Sequence, residues 1–295
     1  MNRDLLFAEL LKVRKRWLPY ILLLFLLGGV VIVIWLGGYA TWKADSAIDA
    51  EERQLALQTF AFPWALVTLL DTGQFWGSVV IAVLTASVVA TEYNWGTVRQ
   101  ALVRGQTRSQ YLTTKLVGLI ILASVILLTA LAVGIAFSVI ATVLAGEPVT
   151  LDVPNGPSAP DVVLMVLRAG YAILPYGLLG FCLTVVGRST ALGVAGTFMY
   201  MIVEAILLGI LHGLGGAAPT IESFTLGHNV SAVLSANVIG GENFNSLAFR
   251  NNPLASELPD PIVGALVIAL YCTLLLTISY GVFQKRDLTS GAGAT

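Results

Sequence analysis

The side chains with chemical potential are few and gather in two places. The first is the segment Thr91–Lys115, which carries Glu92, Arg99, Arg104, Arg108 and Lys115 interleaved with Tyr93, Trp95, Val98 and Leu102. Charges alternating with exposed aromatic and aliphatic groups suit a docking surface for a soluble partner. A basic loop resting on lipid headgroups is the alternative. Gly105 divides the segment into two short helices, and Thr107 caps the second, because its hydroxyl accepts from a free backbone N–H. The second place is Glu204, inside a long apolar run with Tyr200 one turn before it. An ionisable group in such a run faces a bundle interior or a water-filled cavity. It is either a wall of a substrate path or half of a structural pair with Arg168 or a tyrosine hydroxyl.

Other chemistries lack material. No G-x-x-x-x-G-K-[ST] occurs, so no nucleotide is bound by a P-loop, and no H-E-x-x-H occurs. The two histidines, His212 and His228, leave little for a metal site, and no span pairs a Ser with a His for catalysis. Cys182 and Cys272 lie in apolar runs and read as buried thiols. Asp71 and Arg168 sit near outer span ends and read as interfacial. The expectation is a chain with no catalytic residue, no metal and no cofactor of its own.

The elements that hold these residues follow from composition. Of 295 residues, 57% are hydrophobic and 11% charged, against roughly 45–50% and about 25% in soluble domains. Mean hydropathy is +0.84. Too few charges exist to cover a soluble surface, so the chain is an integral membrane protein. It is not disordered, and a net charge of -1 gives it no bulk attraction for nucleic acid. Six apolar stretches, about 19–40, 73–91, 115–145, 167–187, 190–212 and 260–283, have the length of spanning helices. The first is too long for a signal-peptide core and lacks a cleavage site. Twelve of the sixteen Lys and Arg residues fall on one side of this layout, which places both termini in the cytoplasm. The expected fold is all-α: residues 1–18 form an amphipathic helix, and residues 19–290 form one six-helix transmembrane domain of a multi-pass cell-membrane protein. An outer segment, 213–258, includes the apolar stretch Asn229–Ile239, which either lies in or re-enters the interface or is a plain loop. The link between the fourth and fifth spans is short enough to force a tight hairpin.

At the N-terminus Leu6, Leu10, Val13 and Trp17 share one helical face, while Glu9, Lys12 and Arg16 share another and Arg14 and Lys15 add charge. Pro19 breaks the helix before the first span. This reads as a helix lying in the inner interface against anionic headgroups. Gly73/Gly77 and Gly209/Gly213 have the spacing for close helix approach, and Pro175 can kink its helix.

The order Glu92, Gly96-Thr97, Arg99, Leu102, Arg108, Lys115 resembles the signature of the type 2 ABC exporter permeases. The N-terminal Glu9, Lys12, Arg14–Arg16 pattern and the ending Phe283-Gln284-Lys285-Arg286-Asp287-Leu288 are similar to that family's connecting helix and C-terminus. Trp95 before the Gly-Thr pair, and the lack of a proline after Leu102, depart from the pattern. The resemblance implies a permease subunit without catalysis of its own, moving a substrate outward. It also implies a coupling helix over Glu92–Arg104 docked on a separate ATPase that binds ATP and Mg. Two ATPase copies and a second permease subunit, identical or not, complete the expected complex in the bilayer. Without the resemblance, a secondary transporter driven by an ion gradient, or a membrane scaffold or sensor recruiting a soluble partner, fits the layout too.

Overall fold

The computed structural model describes residues 3–44, 50–150, 158–214, 221–237 and 258–285. All regular structure among them is helical. The chain opens with α1 (Arg3–Arg14), then α2 (Leu18–Leu26), a π-helical turn (Leu27–Val31) and α3 (Ile32–Lys43). Next come α4 (Ala50–Phe60), α5 (Ala65–Asn94), the short α6 (Thr97–Val103) and α7 (Arg108–Ala145). The remainder is α8 (Ala159–Gly187), α9 (Thr190–Leu214), α10 (Leu226–Ser235) and α11 (Pro261–Lys285).

Among the described residues five helices are long and apolar enough to cross a membrane: α5, α7, α8, α9 and α11. The stretch expected as the first span, 19–40, runs helically from Leu18 to Lys43 but changes to π hydrogen bonding over Leu27–Val31. That segment contains Gly28 and Gly29, and a π turn interrupts the straight course of a helix. The apolar lead-in to the second span divides in two. α4 folds back on α3, burying Phe60 among Trp35, Tyr39, Trp42 and Trp64. The bend to α5 is held by α7, where Ser138 Oγ donates to the Phe60 carbonyl (2.8 Å) and Phe62 N–H donates to Thr142 Oγ1 (2.8 Å). α5 thus starts at Ala65, ahead of the expected 73.

Local signals set the other starts. Thr107 caps α7 as expected, its hydroxyl accepting from Gln110 N–H while the Gln110 side chain accepts from Thr107 N–H. The second helix of that segment is therefore the first turns of α7, beginning at Arg108 and ahead of the expected 115. Ser158 and Asp161 make the same reciprocal box at α8, with Pro160 in its first turn. α8 and α9 are joined by the tight hairpin the short link requires, with Arg188 in the left-handed region at φ 51°.

α5 is the axis of the bundle. Two-thirds of its most apolar window is buried, against about a fifth for α7. One half of it packs Val80, Leu84 and Val88 against Phe181, Val185, Leu112 and Phe283. The other half packs Leu66 and Leu70 against Met165, Tyr176, Leu226 and Ile268. The stretch Asn229–Ile239 is no plain loop: α10 covers its first part and buries Val230, Val233 and Leu234 against α8 and α11. Residues 215–220 and 238–257 of the long outer segment lie outside the described residues, as do Arg286, Asp287 and Leu288 of the C-terminal pattern.

The glycines that permit close approach are not the expected pairs. A Cβ at Gly73 or Gly209 would meet nothing within 4 Å, and Gly213 has no described surroundings. Gly77 does face a neighbour, Ile173. A tight seam lies at Gly193, where a Cβ would stand 1.9 Å from Thr184 Oγ1 and 2.7 Å from Ala86 Cβ, and Gly180 is close as well, 3.1 Å from the Ala82 carbonyl. Spacing alone could not reveal this, because it does not say which face of a helix meets protein. Gly193→Ala should therefore destabilise the protein by about 1–3 kcal/mol through overpacking, while Gly209→Ala leaves it unchanged. Thermal unfolding in detergent distinguishes the two; equal midpoints would refute the seam.

Candidate functional site

The segment singled out in the sequence is built from the end of α5, all of α6 and the start of α7. Gly96 takes φ 65°, a left-handed conformation that costs glycine nothing sterically, and turns the chain from α5 into α6. Thr97 Oγ1 donates to the Glu92 carbonyl (3.3 Å), tying the start of α6 to the last turn of α5. Exposure along this hairpin differs from the expected pattern. Trp95 is outward at 67% exposure, but Val98 is buried, and Tyr93 and Leu102 are half-buried against the core. Val103, at 80%, is the outward aliphatic group. Arg99 and Arg104 are also exposed. The outer face of the α5–α6 corner is thus a basic strip with one aromatic and one aliphatic side chain.

Glu92 does not belong to that outer face. It is 2% exposed and sits in a cluster of charges from three helices. Lys115 of α7, 4% exposed, places Nζ 2.5 Å from Glu92 Oε1 and also pairs with Glu9 of α1. Lys12 lies 2.9 Å from Glu9 and 3.6 Å from Glu92. The Tyr111 hydroxyl donates to the other Glu92 oxygen. Two carboxylates and two ammoniums balance. Without Lys115, Glu9 and Glu92 would be two like charges sharing a poorly solvated space. Partial burial alone would lower the Lys12 pKa. The hydrogen bond and charge of Glu9, followed by the charge of Glu92, outweigh that and hold it above the ordinary lysine value. Lys12 therefore stays charged throughout the neutral and mildly alkaline range, and its contribution fades only as pH rises past that raised value.

The cluster changes the reading of the N-terminal helix. Glu9 was expected on the face toward headgroups; it turns inward to Lys115, and Lys12 spans both acids. Val13 is buried as expected, but Trp17 is 82% exposed, because α1 ends at Arg14 and the helical phase does not continue to position 17. Arg14 and Lys15 are exposed. Arg16 places its guanidinium 5.3 Å from the centre of the Trp95 ring, a cation–π contact that joins the end of α1 to the α5–α6 corner. α7 is fastened to α11 beside the cluster. Arg108 donates to the Gln284 carbonyl (2.5 Å), Thr113 and Tyr280 share a 2.7 Å hydrogen bond, and Tyr111 stacks on Phe283.

Glu204 is also buried, within reach of donors from two helices. Tyr200 donates to it (3.1 Å), and it accepts from the backbone N–H groups of Leu226 and Gly227. These are the first residues of α10. At the opposite end of α10, Arg168 donates to the Ala236 carbonyl (2.8 Å) and lies 3.4 Å from Asn237 Oδ1. A carboxylate at the N-terminus and a guanidinium at the C-terminus complement the helix macrodipole. Of the two pairings open in the sequence, the tyrosine hydroxyl is the one found, and Arg168 serves the other end of the same helix.

Replacing Lys115 by Met leaves buried Glu92 and part-buried Glu9 with one flanking, half-exposed cation. The expected loss is about 3–5 kcal/mol, as for breaking a buried pair from one side. Lys115→Arg should keep most of the stability, and adding Glu92→Gln to Lys115→Met should recover part of the loss. Unfolding midpoints of the four proteins check this. Additive losses in the double variant would mean that the two groups do not act on one another.

Curated proteins give no match to this sequence. A family model described as ABC-2 family transporter protein matches residues 8–288, from the turn of α1 that carries Glu9 to just beyond α11. With its helical bundle and multiple apolar helices, the chain belongs to the ABC-2 transporter family and is a multi-pass membrane permease component of an ABC transporter.

Proposed function

We propose that this chain is the transmembrane subunit of an ATP-driven exporter, powered by a separate ATPase that docks on the segment 92–108. The observation that carries the reading is the two-sidedness of α6. Its outer face offers Trp95, Arg99, Val103 and Arg104 to a partner, while its root is bolted through Glu92 and Lys115 to α1 and α7. A push on the outer face is thereby delivered to three helices at once. α2, the π turn and α3 together act as the first of six crossings, and both termini lie with α6 on the cytoplasmic side. That side holds the excess of Lys and Arg. ATP and Mg are bound by the ATPase, present in two copies, beneath a pair of permease subunits.

In this scheme the residues divide by role. Trp95, Arg99, Val103 and Arg104 face the ATPase. Gly96 and Thr97 set the angle of α6, Tyr93 and Leu102 seat it, and Glu9, Lys12, Glu92 and Lys115 transmit its displacement. Arg14, Lys15, Arg16 and Trp17 meet the headgroup layer. Glu204 and Tyr200, the candidates for the substrate path, hold α10 in place at the wall of the bundle. The bundle has few charges and suits an amphipathic substrate.

The test is a pull-down of the tagged protein from its native membrane in mild detergent, with ATP hydrolysis assayed on the eluate. An ATPase should co-purify. Val103→Asp and Arg99→Glu should remove most of it without altering the permease's unfolding midpoint, since both side chains are exposed. Elution alone under several detergents would sink the reading in favour of a gradient-driven transporter or a scaffold.

A further inference from the structure

The end of the bundle that carries α1 and α6 shows one sign of charge outward. Among its described side chains Lys12, Arg14, Lys15, Arg99, Arg104 and Lys285 are exposed. The acids of the same end face inward. Glu92 is buried, Glu9 keeps 13% of its side chain exposed, and Lys115 lies against both. Among the described residues neither Arg99 nor Arg104 forms an ion pair. A face of this kind attracts a surface of the opposite sign.

Two parts of the face differ in apolar content. At the α1–α2 corner, Arg14 and Lys15 stand among Phe7, Leu11, Trp17, Tyr20 and Ile21, all of them exposed. Cations edged by a broad apolar surface suit a headgroup layer. α6 lacks that surface. Val98 is buried, Ala101 and Leu102 are half-buried against the core, and Val103 is the one exposed aliphatic side chain of the helix. Trp95, at the corner, has the Arg16 guanidinium over its ring. A helix with a single outward aliphatic group beside two arginines has little to bury in hydrocarbon, so its complement is a protein surface.

The frame of α6 is fixed by its own chain. Gly96 sets the turn into it, and Thr97 ties its start to α5. Arg99 and Arg104 are five positions apart, about 7–8 Å along the axis at 1.5 Å per residue, with Val103 between them in sequence. A guanidinium presents a planar fork of donors that matches a carboxylate.

We infer that the ATPase receives α6 in a groove that has an apolar socket for Val103 and a carboxylate for each of Arg99 and Arg104. The carboxylates steer the partner and set its register, which opposite charges do more than they add to affinity. The inference rests on the ATPase reading above and adds the chemistry of the surface that α6 meets.

The tagged complex is drawn from its native membrane at an ionic strength of about 0.1 M and washed at about 1 M, which shortens the screening length from about 10 Å to about 3 Å. The wash should lower the retained ATPase several-fold. Arg99→Gln combined with Arg104→Gln should show the same loss before the wash and change little on washing, with an unaltered unfolding midpoint. Arg99→Lys and Arg104→Lys each place an amine at the surface. A carbodiimide joins such an amine to a carboxylate in contact, as an amide, and mass spectrometry should find positions 99 and 104 joined to Asp or Glu of the ATPase. The loss in the double Gln variant should be equal in nanodiscs of phosphatidylcholine with and without phosphatidylglycerol. A loss confined to the phosphatidylglycerol discs would assign the arginines to lipid and overturn the inference. Retention indifferent to both salt and the Gln substitutions, or adducts only with acids of this chain, would overturn it too. In all three cases an ATPase is still docked, and the transport reading stands. A wild-type eluate without an ATPase would remove both.

Discussion

The arrangement of this protein depends on the neutralisation of two carboxylates, Glu92 fully buried and Glu9 part-buried. Glu9 and Glu92 come from helices far apart in the chain, and each alone would be costly to bury. Lys115 removes that cost only when both α1 and the end of α5 are in place around it. The cluster acts as a condition on assembly: α1, α5 and α7 are compatible at this end of the bundle in one relative position. Ion pairs of this kind contribute less to net stability than to the choice of one arrangement over its neighbours. That is the property a mechanical joint needs.

Around this joint the packing is graded. α5 is surrounded on nearly all sides and meets α8 and α9 through glycines with no room for a methyl group. It is the stiff member. α7 and α11 are more open, linked near the charge cluster and parted by a groove further along. α6 stands outside the core, fixed at its root by a left-handed glycine and a threonine hydrogen bond. α6 is therefore tied to the densely packed centre of the bundle.

α10 obeys a related constraint. It is short, and most of its stability comes from its neighbours, as for any helix of its length. Its inward face buries Leu226, Val230, Val233 and Leu234 together with His228 and Asn229, and its ends meet Glu204 from α9 and Arg168 from α8. An ionisable side chain in an apolar run commonly signals a transport path. Here the carboxylate is engaged by a hydroxyl and two backbone donors, so its burial is accounted for by the helix it holds.

The sequence by itself determined the membrane class, the apolar runs of the long helices and the cap at Thr107. Charge scarcity allows no soluble surface, apolar length marks the runs that become long helices though not their ends, and Thr107 can cap only the helix that follows. It also marked Glu9, Lys12, Glu92 and Lys115 as residues of interest. Only the tertiary structure decided that they meet, because helical periodicity relates neighbours a few positions apart and says nothing of pairs separated by a hundred. The same limit hid the inward turn of Glu9, the exposure of Trp17 past the end of α1, and the burial of Val98. Glycine spacing could not separate Gly193, which touches its neighbour, from Gly209, which touches nothing, since spacing fixes a helical face but not what that face meets. The helix that holds the ends of α8, α9 and α11 together was visible only as an apolar stretch too short to span, and its role came from the charges placed at its two ends.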